Sequence, residues 1–141
     1  MKHFNVNKKM KNAFEYDSNP ASFSRAVSIC PATTKSMLYV SGTASIGKNG
    51  ETLHKGDFKT QLWQTYENLT EVLSEGNMTW KNVIRTTIYL RDIDRDYEDF
   101  NKIRKEFFDQ VGIVNYPAST CVGAKICRPD LLCEIELIAA R

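Results

Sequence analysis

Pro117-Ala118-Ser119-Thr120-Cys121-Val122, followed by Cys133-Glu134-Ile135-Glu136-Leu137-Ile138-Ala139, is the stretch whose reading decides the fold. Both runs read as short strands, over about 117–126 and 131–139. Alternate residues of a strand share a face. Ser119 and Cys121 therefore lie on one side of the first run. Glu134 and Glu136 lie on one side of the second, opposite Cys133, Ile135 and Leu137. If the two strands pair, a hydroxyl, a thiol and a carboxylate converge on one pocket.

Working back along the chain, Val83 to Leu90 is rich in β-branched residues and predicts a buried central strand. Between it and the closing strands, Tyr97, Phe100, Arg104, Phe107, Phe108 and Val111 trace a largely apolar helical stripe, with Asp94 as its N-cap and Gly112 as its end. An earlier helix opens after Gly56-Asp57. Its stripe is Phe58, Leu62, Tyr66, Leu69 and Leu73, and Gly76 is its expected stop. Phe23 to Ile29 and Met37 to Ser41 favour strands separated by a turn at Pro31–Lys35, and Asn49-Gly50 is a hairpin signal suited to a type I′ turn. The order β-β-β-α-β-α-β-β predicts an α+β domain, a mixed sheet with both helices on one face. The opposite sheet face is expected to be apolar and covered by other copies of the chain.

A chain of 141 residues forms a single domain over 1–141, with residues 1–20 an irregular N-terminal segment. The composition, 42% hydrophobic and 26% charged, is that of an ordinary globular protein. A net charge of +2 does not announce a nucleic-acid partner. Lys2, Lys8, Lys9 and Lys11 read as a solvated terminus rather than an RNA-binding arm. No apolar run reaches the length of a membrane span and no secretory leader is evident, so a cytoplasmic location is expected, with no membrane partner. Cys30, Cys121, Cys127 and Cys133 lack metal-ligand spacing, and with only His3 and His54 beside them no metal is expected.

The chain from about Phe23 to Arg141 resembles the Rid superfamily, also called YjgF or L-PSP. Phe23-Ser24-Arg25-Ala26 stands at the family's Gly-Pro-Tyr-Ser-Gln-Ala segment, and Val40-Ser41-Gly42-Thr43 at its Val-Ser-Gly-Gln strand. Val83 to Leu90 matches Val-Val-Lys-Thr-Thr-Val-Phe-Leu, and Asp99-Phe100-Asn101 matches a helix start. Pro117 to Val122 matches Pro-Ala-Arg-x-Cys-Val, and Glu134 to Ala139 matches Glu-Ile-Glu-x-Ile-Ala. The resemblance implies a chorismate-mutase-like fold assembled as a homotrimer, with clefts between subunits and no cofactor. It implies hydrolysis of small imine or enamine metabolites, with an arginine pairing the substrate carboxylate and the first glutamate of the closing strand positioning water.

Carried over by position, Gly42, Asn101, Cys121 and Glu134 are retained, Phe23 replaces a tyrosine, and Ser119 replaces the arginine. Losing that rigid two-pronged donor removes about 1.5–3 kcal/mol of charge-assisted pairing. An altered substrate is therefore expected, and Ser119→Arg is expected to raise hydrolysis of simple 2-imino acids. Arg25 is read either as a replacement cation in the cleft or as a surface arginine. Cys121 reads as a pocket-wall thiol, since no histidine stands near it in sequence and a reactive thiolate needs a cationic neighbour. Glu134 is the expected catalytic side chain, provided a cleft keeps it from bulk water, and Glu136 is read as solvent-facing. Three alternatives stand beside the hydrolase: a small-ligand-binding homologue without turnover, a chorismatase-like enol-ether hydrolase, and an RNA-acting L-PSP-type endoribonuclease or translation inhibitor. The last lacks an aromatic and basic stacking face or a histidine pair to support it.

Overall fold

In the computed structural model, which describes residues 1–4 and 22–141, the first apolar stripe winds into α1 (Phe58–Glu75) and buries Phe58, Leu62, Tyr66, Leu69 and Leu73. Asp57 caps it, its carboxylate accepting from the Thr60 amide at 3.1 Å. The helix does not stop through Gly76, whose φ is −77°. Asn77 takes the left-handed turn at φ 52°, and the Met78 amide reaches back to the Leu73 carbonyl at 2.8 Å. Helix α2 (Ile93–Gln110) is capped by Asp92 rather than Asp94, because it begins one turn-half earlier than the stripe suggests. Asp94 and Asp96 occupy its first turn, where negative charge suits the helix dipole. Gly112 at φ 70° ends it as expected.

Six strands complete the described residues: β1 (Lys2–Phe4), β2 (Ala26–Ser28), β3 (Met37–Thr43), β4 (Val83–Leu90), β5 (Ala118–Gly123) and β6 (Cys133–Ala140). β1 and β2 form a separate antiparallel pair, so residues 2–4 are strand within a terminus read as irregular. Lys8, Lys9 and Lys11 lie outside the described residues. Asn49-Gly50 does turn the chain, with a bridge between Ile46 and Thr52. Only Gly50 of the pair has positive φ, which excludes the type I′ form.

The main sheet runs β3-β6-β4-β5, with β4 and β5 parallel and the other neighbours antiparallel. The closing strands therefore do not pair with each other: β4 lies between them. Its β-branched sequence lets it sit centrally, with Thr86, Ile88 and Leu90 buried toward the helices. Ile135, Leu137 and Cys133 of β6 join them, and Tyr66, Trp80, Phe107 and Phe108 fill the layer between sheet and helices. The Tyr66 and Phe107 rings stack at 4.4 Å.

The opposite face is not apolar as expected. Tyr39 (70% exposed), Val122 (39%) and Ile138 share it with Arg85, Thr87, Tyr89, Glu134 and Glu136. Apolar and charged groups alternate there because β4 and β6 carry polar residues at the outward positions.

Candidate functional site

The sequence-predicted residues fall into two groups on opposite faces of the sheet. Ser119 is registered with Thr86 and Cys121 with Ile88, so both point toward the helices. Glu134 is registered with Tyr89, so it points to the open face. Within one chain the hydroxyl, thiol and carboxylate do not converge. A strand intervenes, and the side chains leave the sheet in opposite directions.

The first group gathers where α2 crosses the start of β5. Ser24 bridges in parallel to Ala118, and its amide donates to the Pro117 carbonyl at 2.9 Å, which docks the 22–25 segment beside β5. Its buried hydroxyl donates to the Tyr116 carbonyl, and His3 Nδ1 lies 2.8 Å from that same carbonyl. With Ser24 turned inward, Phe23 and Arg25 flank it, half-buried. Across from them stands a residue read only as part of a helical stripe. Arg104 is 4% exposed, and its guanidinium carbon lies 4.7 Å from the Phe100 ring centre and 5.8 Å from that of Phe23. Its Nη2 donates to Asn101 Oδ1 at 2.8 Å and its Nη1 to Ser119 Oγ at 3.3 Å. Arg25 approaches the Phe23 ring at 5.7 Å. Phe23, Arg25, Asn101, Ser119 and Cys121 are thus brought together, with Arg104 at their centre.

Burial pulls the Arg104 pKa down from its ordinary value. Burial likewise pushes the Cys121 thiol up to about 11, against the pull of the Arg104 charge. The cationic neighbour that sequence could not locate is present, yet desolvation prevails and the thiol keeps its proton at neutral pH. The signal for Arg104 was its charge within an apolar stripe, one helical turn from Phe100.

The second group lies on the open face. β3 bulges between Val40 and Thr43, where the register to β6 shifts by one residue, and Gly42 sits in that bulge. A methyl group built on Gly42 would overlap Glu134 Oε1 and stand 2.8 Å from its Cδ, so only glycine lets the carboxylate lie over this backbone. Asn68 holds the following loop by donating to the carbonyls of Ala44 at 2.8 Å and Ile46 at 3.0 Å. Gln61 ties down the chain entering β6, accepting from the Leu132 amide at 2.8 Å. Glu134 and Tyr89 line a cavity of about 250 Å³ with Ala124, Lys125, Ile126 and Cys127. Glu136 is half-buried on the same face, rather than freely solvated, and borders a separate cavity with Tyr39 and Arg85. Burial raises the Tyr89 pKa, with further upward pushes from the charge of Glu136, its hydrogen bond and the charge of Glu134.

Residues 5–141 match the family described as endoribonuclease L-PSP. The chain belongs to the Rid family. It is 33% identical over 110 residues to the 3-aminoacrylate deaminase RutC of Acinetobacter baylyi, covering 77% of this chain and 83% of that one. A RutC family protein of Aquifex aeolicus is 31% identical over 104 residues, covering 74% and 80%. Among solved structures, the Rid family protein YyfB of Yersinia pestis, itself of unknown function, superposes with a TM-score of 0.79 at 25% identity over 100% of both chains. E. coli TdcF with bound serine superposes at 0.68 with 26% identity, covering 84% of this chain and 87% of that one. These likenesses bear out the α+β fold of a mixed sheet with two helices on one face.

Proposed function

We propose that this Rid protein hydrolyses small imine or enamine metabolites bearing an anionic group, in clefts formed between three copies of the chain and without a cofactor. The observation that carries the reading is a buried guanidinium surrounded by Phe23, Asn101, Ser119 and Cys121, with no acidic partner in an ion pair among the described residues. A buried cation without a counter-ion is costly, and a ligand anion offsets that cost. The deaminase name of the A. baylyi relative and the serine bound to TdcF support a small amino-acid-derived substrate. Two half-sites on opposite sheet faces suit an assembly in which the open face of one copy meets the helix-side edge of the next. Tyr39, Val122 and Ile138 supply apolar area for that contact, and Arg85 and Glu136 supply charges to orient it.

The chemistry needs few groups. A bound enamine gains a proton at carbon and loses one from nitrogen to solvent, becoming the imine. Water then adds to the imine carbon while Glu134 accepts one of its protons. The same carboxyl returns a proton to nitrogen, and the carbinolamine collapses to a carbonyl and ammonia, leaving Glu134 unchanged. Cys121 contributes a wall and backbone rather than a nucleophile, consistent with its raised pKa. Arg25 flanks the entrance at Phe23. The test is the rate at which a 2-imino acid, generated in place by an amino-acid oxidase, becomes keto acid with and without the protein. Acceleration by a trimeric species supports the proposal. Binding without acceleration identifies a ligand-binding homologue instead.

A further inference from the structure

We infer that Arg104 has taken over carboxylate recognition from position 119, so that the cation of the cleft is delivered by helix α2 and strand β5 supplies a hydroxyl beside it. The inference rests on the reading above that the cleft takes a small anion. Three features of the pair carry it.

First, the two Nη atoms of Arg104 are committed to neutral acceptors, Asn101 Oδ1 and Ser119 Oγ, which fixes the plane of the guanidinium but neutralises none of its charge. Second, its Nε is buried with no hydrogen-bond partner among the described residues. A leucine or methionine would serve packing alone at a position of an apolar stripe without leaving that donor orphaned. Third, Ser119 Oγ receives the Arg104 Nη1 hydrogen and also that of Thr86 Oγ1 at 3.2 Å. A hydroxyl that accepts twice retains its own hydrogen to donate. Arg104 Nε–H and Ser119 O–H are thus two donors left unused on either side of a guanidinium whose charge a ligand carboxylate would balance.

The short side chain at 119 is what makes this possible, since the guanidinium of Arg104 takes the space above it. Access passes Phe23, whose ring covers the guanidinium from a half-buried position. One fixed cation matches the single charge of a monocarboxylate rather than the higher charge of a phosphate.

Calorimetric or NMR titration with pyruvate and with its neutral isostere pyruvamide tests this directly. The wild-type protein is expected to bind pyruvate about ten-fold or more tightly than pyruvamide, in line with one charge-assisted pair. Arg104→Met should lose that preference, with pyruvate binding falling far more than pyruvamide binding, and the double variant Arg104→Met with Ser119→Arg should regain part of it. Should Arg104→Met fail to fold, Ser119→Ala is the second probe, with several-fold weaker pyruvate binding and a smaller loss for pyruvamide expected. A pyruvate preference that survives in folded Arg104→Met, insensitivity to Ser119→Ala where that is the probe used, or no preference in the wild-type protein overturns the assignment. An Arg104-dependent preference without imine hydrolysis would leave this inference standing and remove the proposed reaction.

Discussion

Ser119→Arg puts the family arginine back, and sequence alone expects it to raise activity. The contact between Ser119 and Arg104 leads us to expect a loss of stability as well. Ser119 Oγ already lies 3.3 Å from Arg104 Nη1, so a second guanidinium extending from 119 meets the first within the same small volume. Two like charges about 4 Å apart at an effective dielectric of about 20 repel by roughly 4 kcal/mol. Ser119 is half-exposed, and rotation toward solvent relieves about half of that, while inserting a long side chain adds about 1–3 kcal/mol of overpacking. A net destabilisation of about 3–5 kcal/mol follows, which for a domain of this size lowers Tm by roughly 10–15 °C. Thermal and urea unfolding at one fixed protein concentration measure it, since assembly makes Tm depend on concentration. Adding Arg104→Met should remove the repulsive part of the loss, giving a coupling of about 2 kcal/mol between the two positions. A Ser119→Arg protein as stable as wild type, or additive effects of the two substitutions, would refute the argument that both guanidinium groups claim one site.

Gly42→Ala should fold, since no positive φ is involved, but its methyl group displaces the Glu134 carboxylate; imine hydrolysis should fall about ten-fold or more with Tm changed by only a few degrees. The thiols should alkylate in a fixed order at pH 7.5, read by mass spectrometry. Exposed Cys30, whose pKa is lowered by hydrogen bonds from Thr33 and Ala32, should react early, and Cys121 and Cys133, pushed up by burial to about 11 and about 12, should react last. Because those two thiols titrate higher folded than unfolded, the stability they contribute is intact below about pH 9 and is lost as pH rises through about 11 to 12. Alkaline unfolding monitored by circular dichroism checks that sign, and stability rising across this interval would contradict it.

Much of the fold was legible because local patterns decide it. The β-branched run Val83–Leu90 is a strand over those residues, and the stripe from Phe58 to Leu73 is the buried face of α1. Cap positions were less legible. Asp92 and Asp94 are both competent caps, and the choice is settled by where Ile93 begins to wind. Strand order was not legible at all, since the position of β4 between β5 and β6 depends on pairings distant in sequence. That order is what separates Glu134 from Ser119 and Cys121. Alternation correctly put Ser119 with Cys121 and Glu134 with Glu136, but it carries no information on which face of the assembled sheet each pair takes. Arg104 was hidden by its own periodicity. A helical arginine reads as the polar edge of a stripe, and only the packing of Phe23 and Phe100 around it reveals a buried charge.

The central claim is that a carboxylate on the open face works with a cation on the helix face, and the most direct measurement compares Glu134→Gln with Glu136→Gln in the imine-hydrolysis assay. The glutamine keeps shape and hydrogen bonding but cannot exchange a proton. Both glutamates share strand, charge and face, yet only Glu134 lies over Gly42. The account predicts that Glu134→Gln lowers kcat about 100-fold or more while Glu136→Gln stays within a few-fold of wild type. Equal losses from the two substitutions, or an undiminished Glu134→Gln enzyme, would contradict it.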